Sequence, residues 1–217
     1  MTGRYPAALL LDLDGTLIDS EPIHRAAYEA FFAKQGWEVA DLTAFTGRRA
    51  QDVFATTPGP WSGVDPHELA AAVVACIPEH VAPEPVGGAS RLILAAAALD
   101  VPVAVVTSAA PPWVERALLD VLGVRDQVDV VVTAADVVDG KPDPTGFTLA
   151  CQRLGVAPPD CVAIEDSPAG VAAATAAGVR DVYGLATTHS AEELRQAGVA
   201  QVYEDLDAVA AYLDLTS

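Results

Sequence analysis

Four short stretches of this 217-residue chain carry side chains suited to handling a charged oxyanion. Asp12-Leu13-Asp14-Gly15-Thr16 follows one apolar run, and Thr107-Ser108-Ala109 follows a second. Asp139-Gly140-Lys141-Pro142 lies beyond a third, and Glu165-Asp166-Ser167-Pro168 follows a fourth. Brought to one edge, they gather the carboxylates of Asp12, Asp14, Glu165 and Asp166 in a small volume. Such charges repel and raise one another's pKa. A divalent cation relieves that repulsion, and an all-oxygen donor set suits Mg²⁺. Kept ionised by the metal, Asp12 can act as a nucleophile. Lys141, the hydroxyls of Thr107 and Ser108, and the free amides near Ser108 to Pro111 at the next helix start are donors for phosphoryl oxygens. Gly15 lets the backbone turn tightly beside such a ligand. Taken singly each feature is ordinary: an aspartate after a strand forms turns, Ser167 suits a helix N-cap, and a lysine is usually solvated. Gly140-Lys141 is not a Walker loop, because the spaced glycine is missing. Their order along the chain is what points to a site.

The elements that must position these residues alternate. Continuous apolar runs predict strands over 7–12 and 101–106, with shorter ones over 128–132, 161–164, 181–183 and 201–203. Helical patterns occupy 112–122, 144–154, 168–177, 191–197 and 206–213. Asp143-Pro144 and Ser167-Pro168 read as a cap followed by proline at the first helical position. Glycine ends several helices, at Gly123, Gly155, Gly178 and Gly198. This alternation predicts an α/β fold, a Rossmann-like parallel sheet with helices on both faces. Ligands of such sheets bind beyond the carboxyl ends of the strands, where the four stretches lie. Residues 18–86 break the pattern. They show no convincing strand and predict helices over 22–35, 49–56 and 66–80, separated by Pro- and Gly-rich turns. The predicted organisation is a core of 1–17 and 87–217 with an inserted helical lobe of 18–86, hinged at both connections.

Asp-Leu-Asp-Gly-Thr at 12–16 resembles the first motif of the haloacid dehalogenase superfamily. Thr107-Ser108 is similar to its second, Lys141 to its third, and Glu165-Asp166-Ser167-Pro168-Ala169-Gly170 to its fourth. The resemblance spans essentially the whole chain. The helical insert resembles the cap of the β-phosphoglucomutase and sugar-phosphatase branch. The resemblance implies Mg²⁺ and an aspartyl-phosphate mechanism. Asp12 is then the nucleophile, and Asp14 the acid that protonates the leaving alkoxide and later activates water. Thr107, Ser108, Ala109, Lys141 and Gly15 surround the phosphoryl group. Asp12, the Asp14 main-chain carbonyl and Asp166 hold the metal, with Glu165 nearby. Dehalogenation is disfavoured, because halide leaves without a proton and Asp14 supplies one. In the insert, Gly47-Arg48-Arg49 resembles the polyol- and deoxysugar-phosphate phosphatases. The mutases carry an arginine where this chain has Ala50, and a serine where it has Val53. The expected activity is a phosphatase acting on a small sugar, deoxysugar or polyol phosphate. A phosphosugar mutase and a catalytically idle binding domain are the alternatives. His24, Gly47, Arg48 and Arg49 are the substrate candidates of the insert.

Composition sets the outer limits. With 30 acidic and 12 basic side chains the formal charge is −18. That disfavours nucleic acid and anionic membranes as partners, and leaves a small phosphorylated metabolite as the expected one. At 52% hydrophobic residues there is ample core material. The run over 7–11 is too short for a signal peptide. The stretch 92–106, broken by Asp100 and Pro102, is too short to span a membrane. Cys76, Cys151 and Cys161 form no CxxC pair and suggest free thiols in a reducing cytoplasm. A monomer or weak homodimer is expected. Trp37, Trp61 and Trp113 read as packing residues, and His67, His80 and His189 show no metal-ligand spacing.

Overall fold

The computed structural model describes residues 5–215, apart from Ala40 and Glu79. Six parallel strands form one sheet in the order β5-β4-β1-β6-β7-β8. They are β1 (Leu9–Leu11), β4 (Val103–Val106), β5 (Val130–Val132), β6 (Val162–Glu165), β7 (Asp181–Leu185) and β8 (Gln201–Tyr203). β1 lies at the centre, with Leu9 opposite Val103 on one side and Val162 on the other. Side chains alternate across a strand, and both faces of this sheet are covered. Leu9, Leu11, Val103, Val105 and Ile164 enter one buried cluster, while Leu10, Ala104, Val106 and Ala163 enter a second.

Helices α4 (Ala89–Ala98), α5 (Pro111–Arg116) and α9 (Leu206–Tyr212) close the first face with Leu92, Ile93, Val114 and Val209. Helices α6 (Thr145–Leu154), α7 (Pro168–Ala176) and α8 (Ala191–Ala197) close the second with Phe147, Ala150, Val171 and Leu194. The predicted parallel α/β core is therefore what forms, with strand ends shifted by at most two residues.

Several expectations are corrected. α4 was not anticipated: an uninterrupted apolar run offers no polar alternation to reveal its period. The helix expected over 112–122 ends at Arg116 and continues as a π turn, Ala117–Val121. Pro144 is the N-cap of α6 rather than its first residue, and Asp143 accepts the Thr145 amide at 2.9 Å. Ser167 does cap α7, accepting the Gly170 amide at 3.1 Å.

Residues beyond β1 form α1 (Glu21–Gln35), α2 (Ala50–Thr56) and α3 (Pro66–Val74), so the last stops short of the expected 66–80, of which Glu79 lies outside the described residues. They are held by their own cluster, in which Phe31, Phe32, Phe45, Phe54 and Trp61 pack with Tyr28, Leu69 and Val73. The Phe32 and Trp61 rings stack at 5.7 Å. Contrary to the strand-free expectation, two short strands enter and leave this lobe. β2 (Ile18–Asp19) and β3 (Glu84–Pro85) pair antiparallel, Ile18 with Pro85 and Asp19 with Glu84. No helix among the described residues is long and apolar enough to cross a membrane.

Candidate active site

The sheet register carries the chemistry to one edge. The Asp12 amide donates to the Ile164 carbonyl at 3.1 Å, so Asp12 is pinned beside the end of β6. The next turn closes with the Gly15 amide on the Ile18 carbonyl at 2.8 Å. Gly15 has φ of 85°, and a Cβ there would lie 2.0 Å from Asp166 Oδ2. Glycine is thus required twice, by conformation and by the close approach of β6's aspartate.

Asp12, Glu165 and Asp166 are buried, with ligand oxygens all within 4.8 Å of one another. Lys141, also buried, donates from Nζ to Asp12 Oδ1 and to Glu165 Oε1. The Ser167 hydroxyl donates to Glu165 Oε2 at 3.2 Å, and the Thr16 hydroxyl reaches Asp166 Oδ1 at 3.5 Å. Burial pushes Asp12 well above the usual carboxylate range; Lys141 opposes this, while Glu165 and Asp166 add to it. Burial and then Glu165 push Asp166 up to about 7. Burial alone would lower the Lys141 ammonium, but Asp12 and Glu165 overcome it and hold it above its ordinary value. Three carboxylates thus face one ammonium, and buried Asp166 Oδ2 has no hydrogen-bond partner among the described residues. An orphaned oxygen within a set of hard donors and a local excess of negative charge fit a divalent cation.

Asp14 behaves differently from the cluster of four that the sequence suggests. Its carboxylate turns away from the other three and accepts on Oδ1 from Ser20 Oγ at 2.6 Å and from Trp113 Nε1 at 2.9 Å. The acidic group therefore contains three side chains, and Asp14 can join it only through its backbone.

At the end of β4, Thr107 is buried and the buried Ser108 hydroxyl has no partner among the described residues. The expected bank of free amides is smaller than the sequence suggests. The Ala109 amide donates to Thr107 Oγ1 at 3.0 Å, and Pro111 and Pro112 at the start of α5 have no N–H. Ser108 and Ala110 supply the remaining amides of that turn.

A cavity of about 370 Å³ rises from this edge into the helical lobe. Asp12, Asp14, Thr107 and Ser108 line its base, His24, Gly47 and Arg48 its flank, and Tyr28, Phe45 and Val73 its far wall. Gly47, with φ of 69°, comes down on Ser167, where a Cβ would lie 2.5 Å from Ser167 Cβ. Arg48 Nε is buried and has no partner among the described residues. Arg49 is already engaged: it pairs with Asp52 at 2.8 Å and donates to the Val137 and Val138 carbonyls at 3.4 and 2.7 Å. Both arginines line the cavity, but only Arg49 is shown tying the lobe to the sheet domain.

Sequence reasoning gave no site role to Ser20 or Trp113, nor to Thr187, whose hydroxyl donates to the Gly15 carbonyl. His189 Nδ1 lies 3.1 Å from the Asp166 carbonyl. Both Thr187 and His189 follow β7, so the strand-end rule applied to a fifth strand would have found them. Nothing in the sequence distinguishes Trp113 from a core tryptophan.

The profile of haloacid dehalogenase-like hydrolases matches residues 6–178. The chain belongs to that family. Its relatives include the validoxylamine A 7'-phosphate phosphatase of Streptomyces hygroscopicus subsp. limoneus, 42% identical over 88% of this chain and 90% of that protein. The fructose-1-phosphate phosphatase of Escherichia coli is 35% identical over 82% of this chain and 96% of that protein. Among solved structures, CbbY of Rhodobacter sphaeroides in complex with phosphate superposes with a TM-score of 0.80 at 26% identity. That match covers 96% of this chain and 99% of the other. Family membership makes this haloacid dehalogenase-like protein an enzyme of the hydrolase type, as its four motifs imply.

Proposed function

We propose that this hydrolase is a Mg²⁺-dependent phosphatase that cleaves a small sugar, deoxysugar or polyol phosphate through an aspartyl-phosphate. The observation that carries this reading is Asp12 itself: a buried carboxylate, bonded to Lys141, at the base of a cavity that also receives the unpartnered Ser108 hydroxyl. Its relatives' names, for validoxylamine A 7'-phosphate and fructose 1-phosphate, support the substrate class.

In this mechanism a carboxylate oxygen of Asp12 attacks phosphorus and the ester P–O bond breaks. Asp14 gives its proton to the leaving alkoxide. Asp14, now ionised, takes a proton from water, whose oxygen attacks phosphorus and breaks the bond to Asp12. Lys141, Thr107 and Ser108 donate to the phosphoryl oxygens throughout. Asp12, Asp166 and the Asp14 carbonyl would hold Mg²⁺, with Glu165 behind them. When bound, the metal supplies charge neutralisation and Lewis acidity at the phosphoryl group. Residues 18–86 act as a cap, closing on the leaving group with Arg48 and His24 and excluding bulk water.

The test is phosphate release from a panel of sugar, polyol and nucleoside monophosphates. Turnover should require Mg²⁺, stop with chelator, and vanish in Asp12→Asn. Retained activity in that variant sinks the mechanism. Faster conversion of β-glucose 1-phosphate to glucose 6-phosphate than phosphate release favours a mutase. No turnover on the whole panel favours an idle binding domain.

A further inference from the structure

The indole of Trp113 makes a contact with Asp14 that packing does not explain. Its Nε1 lies 2.9 Å from Asp14 Oδ1, the same oxygen that accepts from Ser20 Oγ at 2.6 Å. The two donors are not equivalent. A serine hydroxyl donates or accepts as its rotor turns, whereas an indole N–H only donates. Trp113 therefore fixes Oδ1 as an acceptor and fixes the plane of the carboxyl group. Oδ2 takes part in neither bond.

The mount of the indole is stiff. Trp113 follows Pro111 and Pro112, whose rings restrict φ, in the first turn of α5. Its ring packs against the core cluster of the sheet and lies 5.5 Å from the His24 ring on α1. Asp14 is thus held from two sides, by Ser20 at the entry to the helical lobe and by Trp113 from the sheet domain. Both Asp14 and Trp113 line the cavity.

We propose that Trp113 is a positioning residue for Asp14: its N–H holds Oδ1 so that Oδ2 is the oxygen that exchanges a proton with the leaving group. This rests on the acid role of Asp14 argued above. Its consequence is a dependence on the leaving group. An alkoxide needs a proton as the P–O bond breaks, while a nitrophenolate leaves without one. Because kcat/KM reports only the steps through release of the leaving group, it isolates this requirement from the later attack by water.

The experiment compares Trp113→Phe, which keeps the ring and removes the donor, with the wild-type enzyme on two esters. One is the best alkyl phosphate from the panel, and the other is p-nitrophenyl phosphate. The expected result is a loss of about tenfold in kcat/KM for the alkyl ester, under about threefold for the nitrophenyl ester. Competitive inhibition by inorganic phosphate should be unchanged. Trp113→His, which restores a ring N–H, should recover part of the alkyl activity and guards against misfolding of the first variant. Equal losses on both esters, or no loss on either, overturn the proposal. Asp14→Asn separates this from failure of the underlying mechanism. If that variant hydrolyses the alkyl ester normally, the acid role of Asp14 falls and the role of Trp113 falls with it. If it is inactive on the alkyl ester while Trp113→Phe shows no selectivity, the positioning role alone is refuted.

Discussion

Replacing Lys141 by methionine tests whether this one ammonium holds the acidic group together. In the folded protein Lys141 bonds both Asp12 and Glu165 within a pocket that also holds Asp166, all of them buried. Methionine keeps most of the side-chain volume and leaves the carboxylates without their cation. Removing one partner of a buried ion pair costs about 3–5 kcal/mol. At about 2–4 °C per kcal/mol for a chain of this size, the melting temperature should fall by about 6–20 °C. The loss must also depend on pH. Burial raises Asp12 and takes Asp166 up to about 7, above the unfolded value of 3.8. Between these values the native state keeps protons that the unfolded state has shed, so stability falls as pH rises through the window and levels off above it. At pH 5, inside the window, native Asp166 still keeps its proton, and the missing ammonium matters less. Thermal and urea melts in chelator at pH 5 and pH 8 should therefore show the full loss only at pH 8. A loss under about 1 kcal/mol at pH 8, or an equal loss at both pH values, refutes the reasoning.

Three further outcomes follow from the same geometry. Mg²⁺ should raise the melting temperature more at pH 8 than at pH 5, because Asp166 sheds its proton near 7; differential scanning fluorimetry with and without chelator checks this. Gly15→Ala should lower kcat/KM by tenfold or more and weaken Mg²⁺ binding, since its Cβ would fall 2.0 Å from Asp166 Oδ2 at about this cost for a displaced site group; kinetics across a metal titration measure both. Arg49→Ala should cost about 1–3 kcal/mol through its lost charged hydrogen bonds to Val137 and Val138, and limited proteolysis should show earlier cleavage near the β2–β3 connections.

The edge chemistry was legible because it follows a rule of topology: whatever succeeds a parallel strand arrives at the ligand-binding edge. Asp12, Thr107 and Glu165-Asp166 all obey it, and Lys141 reaches the same place through a longer loop. The rule places backbones and says nothing of where a carboxylate turns. It therefore places Asp14 with the metal acids, although Ser20 and Trp113 draw its carboxylate aside. Arg48 and Arg49 are adjacent, chemically identical and both line the cavity, so only packing shows that it is Arg49 that bonds Val137 and Val138. β2 and β3 escaped notice because two-residue strands have no period to read, and α4 because its neighbours are as apolar as its buried face.

The short β2–β3 ribbon has an implication for how this chain can be altered. Ile18 and Pro85 are register partners, so the helical lobe begins and ends at points about 5 Å apart. Neighbouring ends let the chain leave and rejoin the sheet domain at one place, while Arg49 on Val137 and Val138 and Gly47 against Ser167 add contacts of their own. The lobe's aromatic nucleus of Phe31, Phe32, Phe45, Phe54 and Trp61 travels with it and is not shared with the sheet. A different helical module spliced at Ile18 and Pro85 would leave the register of β1, β4 and β6 untouched, and with it the placement of Asp12, Thr107 and Glu165.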